Sequence, residues 1–162
     1  MNGRFEMTDR TREEVLALLQ GGNAHVAFDN TIKDFPAKLR GAKPKGAPHT
    51  AWQLLEHMRI AVWDILEFSR NAKHVSPDWP EGYWPSTEKP PSDAAWKKSI
   101  ASIKKDVETM AKLVSDPKTD LYAKIPHGTG QNILREALLI ADHNSYHIGQ
   151  LVLLRRLLEA QT

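Results

Sequence analysis

The chain contains no cysteine. That absence excludes disulfides, thiolate zinc sites and a built-in thiol nucleophile. Any thiol chemistry here must draw its sulfur from a small molecule. No apolar run approaches the ~18 residues that a membrane span needs. The polar stretch from Met1 to Arg10 lacks the apolar core of a signal peptide. Nor is there an excess of one charge: 22 Lys and Arg stand against 20 Asp and Glu, a formal net charge of +2. Without a basic block or an Arg-rich aromatic stripe, nothing points to nucleic acid. These absences predict a protein that binds neither membrane nor nucleic acid, with the cytoplasm as its expected location.

What is present reads as one helical domain over residues 1–162, with ordinary apolar and charged fractions of 41% and 26%. There is no internal repeat and no convincing alternating strand. Thr11-Arg12-Glu13-Glu14 has the pattern of a capping box and predicts a helix start. Gly21-Gly22 weakens that helix, and Asn23 is placed to cap a restart through Ala24, Val26, Phe28 and Ile32 until Pro36. Thr50 and Gln53 form a second capping box. Behind it Leu54, His57, Met58, Ala61, Ile65 and Phe68 share one stripe, widened by Trp52, Leu55, Val62 and Leu66. Ser92 is the expected N-cap of a third helix, in which Trp96, Ile100, Ile103, Val107, Met110 and Val114 recur until Asp116-Pro117. The last helix is expected from about Gln131 to Leu158, with Glu136, Ile140, His143, His147, Leu151, Leu154 and Leu158 inward.

Four amphipathic helices joined by loops predict a bundle. Between the second and third helices, residues 72–91 carry five prolines together with Trp79, Tyr83 and Trp84. A loop of this length is either a lid over a site or a packed connector. Extended, it spans roughly 65 Å, enough to let the flanking helices run parallel.

His143 and His147 lie one helical turn apart on the inward stripe, where residues i and i+4 face the same way. His57 takes a similar inward position on another helix. Three neutral imidazoles on one divalent ion leave a coordination position open for water or substrate. Gln53, Asp64 and Glu136 share these stripes and are candidates to hold the rings' second nitrogens. The competing reading of His143 and His147 is two histidines satisfied by hydrogen bonds at a core margin. His-Glu-x-x-His and Glu-x-x-His patterns, which mark zincin helices and di-iron bundles, do not fit. His25 is free to face core or water. His49, His74 and His127 are expected to be solvated or capping. Trp52, Trp63 and Trp96 read as core, and Tyr146 as a packing residue. Arg135 with Glu136, and Arg155 with Arg156, read as surface or interface charge.

Trp52-Gln53-Leu54-Leu55-Glu56-His57, together with Asp142-His143-Asn144-Ser145-Tyr146-His147-Ile148-Gly149-Gln150-Leu151, resembles the DinB/YfiT-like family of four-helix metalloproteins. The likeness covers about Ala24 to Leu158 and leaves the first helical piece as an N-terminal extension. It implies an all-α, up-down-down-up four-helix bundle, often a homodimer. It also implies three histidines, here His57, His143 and His147, on a divalent cation: zinc or nickel first, manganese or iron also accepted. Relatives of that type join a low-molecular-weight thiol to an electrophile, or use such a thiol in isomerisation. Three functions therefore stand as expectations: a metal-dependent thiol transferase, a metal-dependent hydrolase with Glu136 or Asp64 as base, and a non-catalytic metal- or small-molecule-binding stress protein.

Overall fold

The structure, a computed structural model, describes residues 2–161, with side chains from residue 10. Its regular elements are helices: α1 (Asn2–Gln20), α2 (Phe28–Ile32), α3 (Ala51–Arg70), α4 (Asp93–Ser115) and α5 (Ile133–Glu159). Short 3-10 turns occupy Ala37–Leu39 and Glu81–Tyr83. An isolated bridge between Lys124 and Asn132 is the nearest thing to a strand among the described residues. None of the described helices is long and apolar enough to cross a membrane.

Local chemistry sets most of the boundaries. At α3 the Thr50 hydroxyl accepts from the Gln53 N–H while the Gln53 side chain accepts from the Thr50 N–H, the reciprocal box expected. Ser92 caps α4 through the Ala95 N–H, and Pro117 forbids continuation past Asp116. Asn132 caps α5 through the Arg135 N–H, two residues into the stretch expected to be helical.

The N-terminal region departs from expectation. Thr11 is not a helix start, because α1 already runs from Asn2. Arg12 is instead a mid-helix residue. Its buried guanidinium donates to the Val114 and Thr119 carbonyls and so satisfies the C-terminal end of α4. Gly21 and Gly22 end α1 with φ of 71° and 78°, a left-handed backbone open to glycine. Asn23 caps no restart. Its amide reaches back to the Ala17 carbonyl, and the next helix begins only at Phe28.

Helix α3 packs on α4 and α5, and α1 packs on the same two helices, an arrangement compatible with a helical bundle. Val15 and Leu19 of α1 are core residues, so this helix belongs to the packed body. Two apolar clusters fill the interior. One joins Leu55 and Met58 of α3 to Trp96 and Ile103 of α4 and to Ile148 and Leu151 of α5. The other joins Val62 and Leu66 to Met110 and Val114 and to Ala137 and Ile140. Trp52 and Trp96 are core as expected, whereas Trp63 is 38% exposed. It shares an outward stripe with Arg59, Glu67 and Arg70, and that register carries it away from the core.

Leu66 is fully buried in the second cluster, so Leu66→Ala should cost about 2–5 kcal/mol of stability. Thr50→Ala, which removes only the cap, should cost about 1 kcal/mol. Urea unfolding measures both, and their order should not invert.

Candidate metal centre

Helix α3 presents His57, and α5 presents His143 and His147 one turn apart. One ligating nitrogen from each ring lies within 4.8 Å of the other two. The Nε2 atoms of His57 and His143 are 3.0 Å apart. A tetrahedral ion about 2.1 Å from each of three nitrogens sets them about 3.4 Å apart. The cluster is therefore compatible with metal binding after small ring rotations. His57 is 4% exposed and His147 6%, while His143 is half-buried.

Hydrogen bonds fix the protons on two rings. His57 Nδ1–H donates to the Tyr83 carbonyl at 2.9 Å, and His147 Nδ1–H donates to Gln150 Oε1 at 2.7 Å. Each neutral ring then carries its lone pair on Nε2, facing the cluster. Without an ion, His143 must donate its Nε2–H to His57 Nε2. That leaves the buried His143 Nδ1 with no partner among the described residues. A cation accepting lone pairs from all three rings removes the need for that internal bond. The donor set thus fits a divalent ion.

Burial and mutual proximity hold the rings neutral. His143 is pushed down to about 3, by desolvation first and then by His147 and His57. His147 is pushed down to about 4, again chiefly by desolvation, with the Gln150 bond opposing. His57 is also lowered, against the pull of the Tyr83 carbonyl. Neutral imidazole is the ligating form, so protons do not compete for these sites at neutral pH.

The loop between α3 and α4 closes over His57. Trp84 lies between two imidazoles, stacked on His57 at 4.0 Å and on His49 at 3.9 Å. Tyr83 gives its carbonyl to His57 and its phenol O–H, at 2.6 Å, to Asp64. Burial and the Asp64 carboxylate raise that phenol above its ordinary range. The other Asp64 oxygen accepts from His74 Nε2 at 2.7 Å. Further along, the Thr50 hydroxyl donates to the Glu88 carbonyl and the Trp52 indole donates to the Thr87 hydroxyl. A Cβ on Gly41 would lie 2.5 Å from that of Lys89, so the loop packs against the chain too closely for any side chain there. These anchors make residues 83–89 a fixed wall. Trp79, 72% exposed, stands at the rim with its edge on Tyr83.

Loop and histidines line an open-sided cavity of about 560 Å³, within the range of small-molecule sites. His57, His143 and His147 all line it, as do Asp64, Gln150 and Tyr146.

The expected supports for the rings are corrected here. Gln53 is spent on the α3 cap, Asp64 on His74 and Tyr83, and the buried Glu136 on Arg135. Gln150 had a legible signal, since it lies three residues after His147 on one helix. The Tyr83 carbonyl had none, because any residue has a carbonyl. His74 is likewise not solvated, being buried against Asp64, while the partly exposed His49 stacks on Trp84. His127 does cap, through the Phe68 carbonyl in the last turn of α3, and His25 meets Ser145 at the surface. Tyr146 touches His147 edge-on but remains largely exposed.

The lowered values make stability depend on pH. The folded chain keeps these rings neutral, whereas the unfolded chain protonates them near 6.5. Between those limits the unfolded state binds more protons, so stability falls as pH falls. Chelator-treated protein should therefore lose melting temperature progressively from about pH 6.5 down towards 4. His143→Gln should flatten that slope. A slope unchanged by this substitution would show that other groups set it.

No protein-family model, curated protein or solved structure matches the chain.

Proposed function

We propose that this chain is a divalent-metal-dependent transferase of the DinB/YfiT-like type. It joins a low-molecular-weight thiol to an electrophile, with His57, His143 and His147 as metal ligands. One observation carries the reading: three imidazoles, two of them with their second nitrogens held from outside, converge on the wall of a cavity large enough for a small molecule. Zinc and nickel suit three imidazoles best, and manganese or iron remain acceptable to the same donors.

A divalent ion bound there supplies Lewis acidity, which lowers the pKa of a thiol sulfur brought to it. The chain's own residues do the rest. The three histidines bind and occupy one side of the site, leaving the cavity side for substrate. The Tyr83 carbonyl and Gln150 keep the rings in the ligating tautomer. Trp84 and Tyr83 exclude water from the His57 side. In the reaction the thiol loses its proton to solvent, and its sulfur electron pair forms an S–C bond. The electrophile's breaking bond sends its pair to the leaving group. No cysteine in the chain competes as acceptor.

Hydrolysis is the competing reading, with Asp64 as the cavity's carboxylate base. Both Asp64 oxygens already accept hydrogen bonds, which favours a positioning role. Glu136 does not line the cavity and is bound to Arg135. A purely structural ion is disfavoured by a three-ligand set, since structural zinc sites are usually closed by four.

The resemblance supplies the up-down-down-up bundle, and the two core clusters support it. The N-terminal halves of α3 and α4 share one cluster with the C-terminal half of α5, and their C-terminal halves share the other with its N-terminal half. Exposed Leu153 and Leu157 on α5 support the homodimer.

Titration of chelator-treated protein with zinc, followed by calorimetry, should give one ion per chain. His57→Ala, His143→Ala and His147→Ala should each weaken binding by about 100-fold or more. Each should also abolish thiol addition to an activated aryl halide. A triple variant as active as the parent protein would sink the proposal.

A further inference from the structure

We infer that the thiol accepted by this cavity carries no anionic group besides its sulfur. This deepens the thiol-transfer reading, on which it rests, by naming the class of co-substrate. Among the described residues that line the cavity there is no Lys or Arg. The rings of Trp79, Tyr83, Trp84 and Tyr146 make much of its wall, with Ile65 and Leu139 beside them. Its one carboxylate, Asp64, is held by His74 and Tyr83. The cation that acts on the wall residue His49 is Lys43, and that ammonium is itself paired with Glu88.

A carboxylate on the body of the thiol meets no Lys or Arg among the described lining residues, and faces the carboxylate of Asp64. Desolvating an unpaired charge is far costlier than desolvating an amide or hydroxyl. The rings of Trp79, Tyr83 and Tyr146 add apolar area to the wall, while both faces of Trp84 are taken by His57 and His49. With the sulfur at an ion that His57, His143 and His147 would hold, the body of the molecule would lie against these rings. The surface fits an uncharged body with a flat or C–H-rich face. Thiols bearing several carboxylates are disfavoured.

A matched pair of probes tests this on zinc-loaded protein by isothermal titration calorimetry. Phenylmethanethiol and 4-(sulfanylmethyl)benzoate present the same sulfur and ring and differ by one carboxylate. The uncharged thiol should bind at least about tenfold more tightly. Leu139→Lys places a cation on the wall outside the histidine cluster. It should shift the affinity ratio of the two thiols about tenfold towards the carboxylate thiol. Equal affinities for the two thiols, or a tighter carboxylate, would overturn the inference while leaving thiol transfer intact. Zinc uptake with no heat from either thiol would overturn the thiol reading, and the inference with it.

Discussion

A buried neutral imidazole has one nitrogen that must donate and one that must accept, and three such rings meet between α3 and α5. Much of the functional geometry follows from satisfying them. Two rings send their donors outward, to the Tyr83 carbonyl and the Gln150 amide oxygen. Their acceptors are thereby turned towards each other, where protein groups do not satisfy them all. An unmet acceptor in a low-dielectric interior is costly, and His143 carries one. A shared cation would take the lone pairs that face the cluster without moving a helix, while His143 Nδ1 keeps no partner among the described residues.

The loop between α3 and α4 connects that local chemistry to the fold. It can serve His57 only because it is tied at several points to helices that are rigid for other reasons. Asp64 sits on α3 two turns beyond His57 and holds Tyr83 by its phenol, so the same residue's carbonyl arrives at the ring from a fixed direction. Thr50 both starts α3 and holds Glu88, which couples the helix cap to the loop's far end. Prolines and aromatics leave one 3-10 turn, Glu81–Tyr83, as the regular structure here, yet they build a wall tied to α3 at several points.

Much of the architecture was legible because it follows local rules. The caps at Thr50 and Ser92, the stop at Asp116-Pro117 and the inward stripes depend on spacing of a few residues. So did the convergence of His57, His143 and His147, since each lay on an inward stripe. The departures involve interactions between segments distant in the chain. Arg12 reads locally as part of a helix start, but its partners lie more than 100 residues away, at the end of α4 and in the loop after it. Asp64 was visible as an inward carboxylate, but its true partners are loop residues whose path no periodicity encodes. Trp63 was assigned to the core by its size, and the register of its own helix overrules that. A backbone carbonyl such as that of Tyr83 is invisible in principle, because it depends on where the chain goes and not on what the residue is.

The position of the histidines within the core carries a final consequence. His57 lies just before Met58 of one apolar cluster and a turn before Val62 of the other. His143 and His147 likewise fall between Ile140 and Ile148. The polar layer therefore separates two cores that a sequence selected for stability alone would merge. Apolar side chains at these places would extend close packing and remove the unmet nitrogen, gains of the kind that stabilise small domains. The chain keeps three rings that are hard to bury and surrounds them with Gln150, Tyr83, Trp84 and Asp64. Local instability maintained by so many supporting contacts is characteristic of a site held for binding, since function is where proteins depart from their stability optimum.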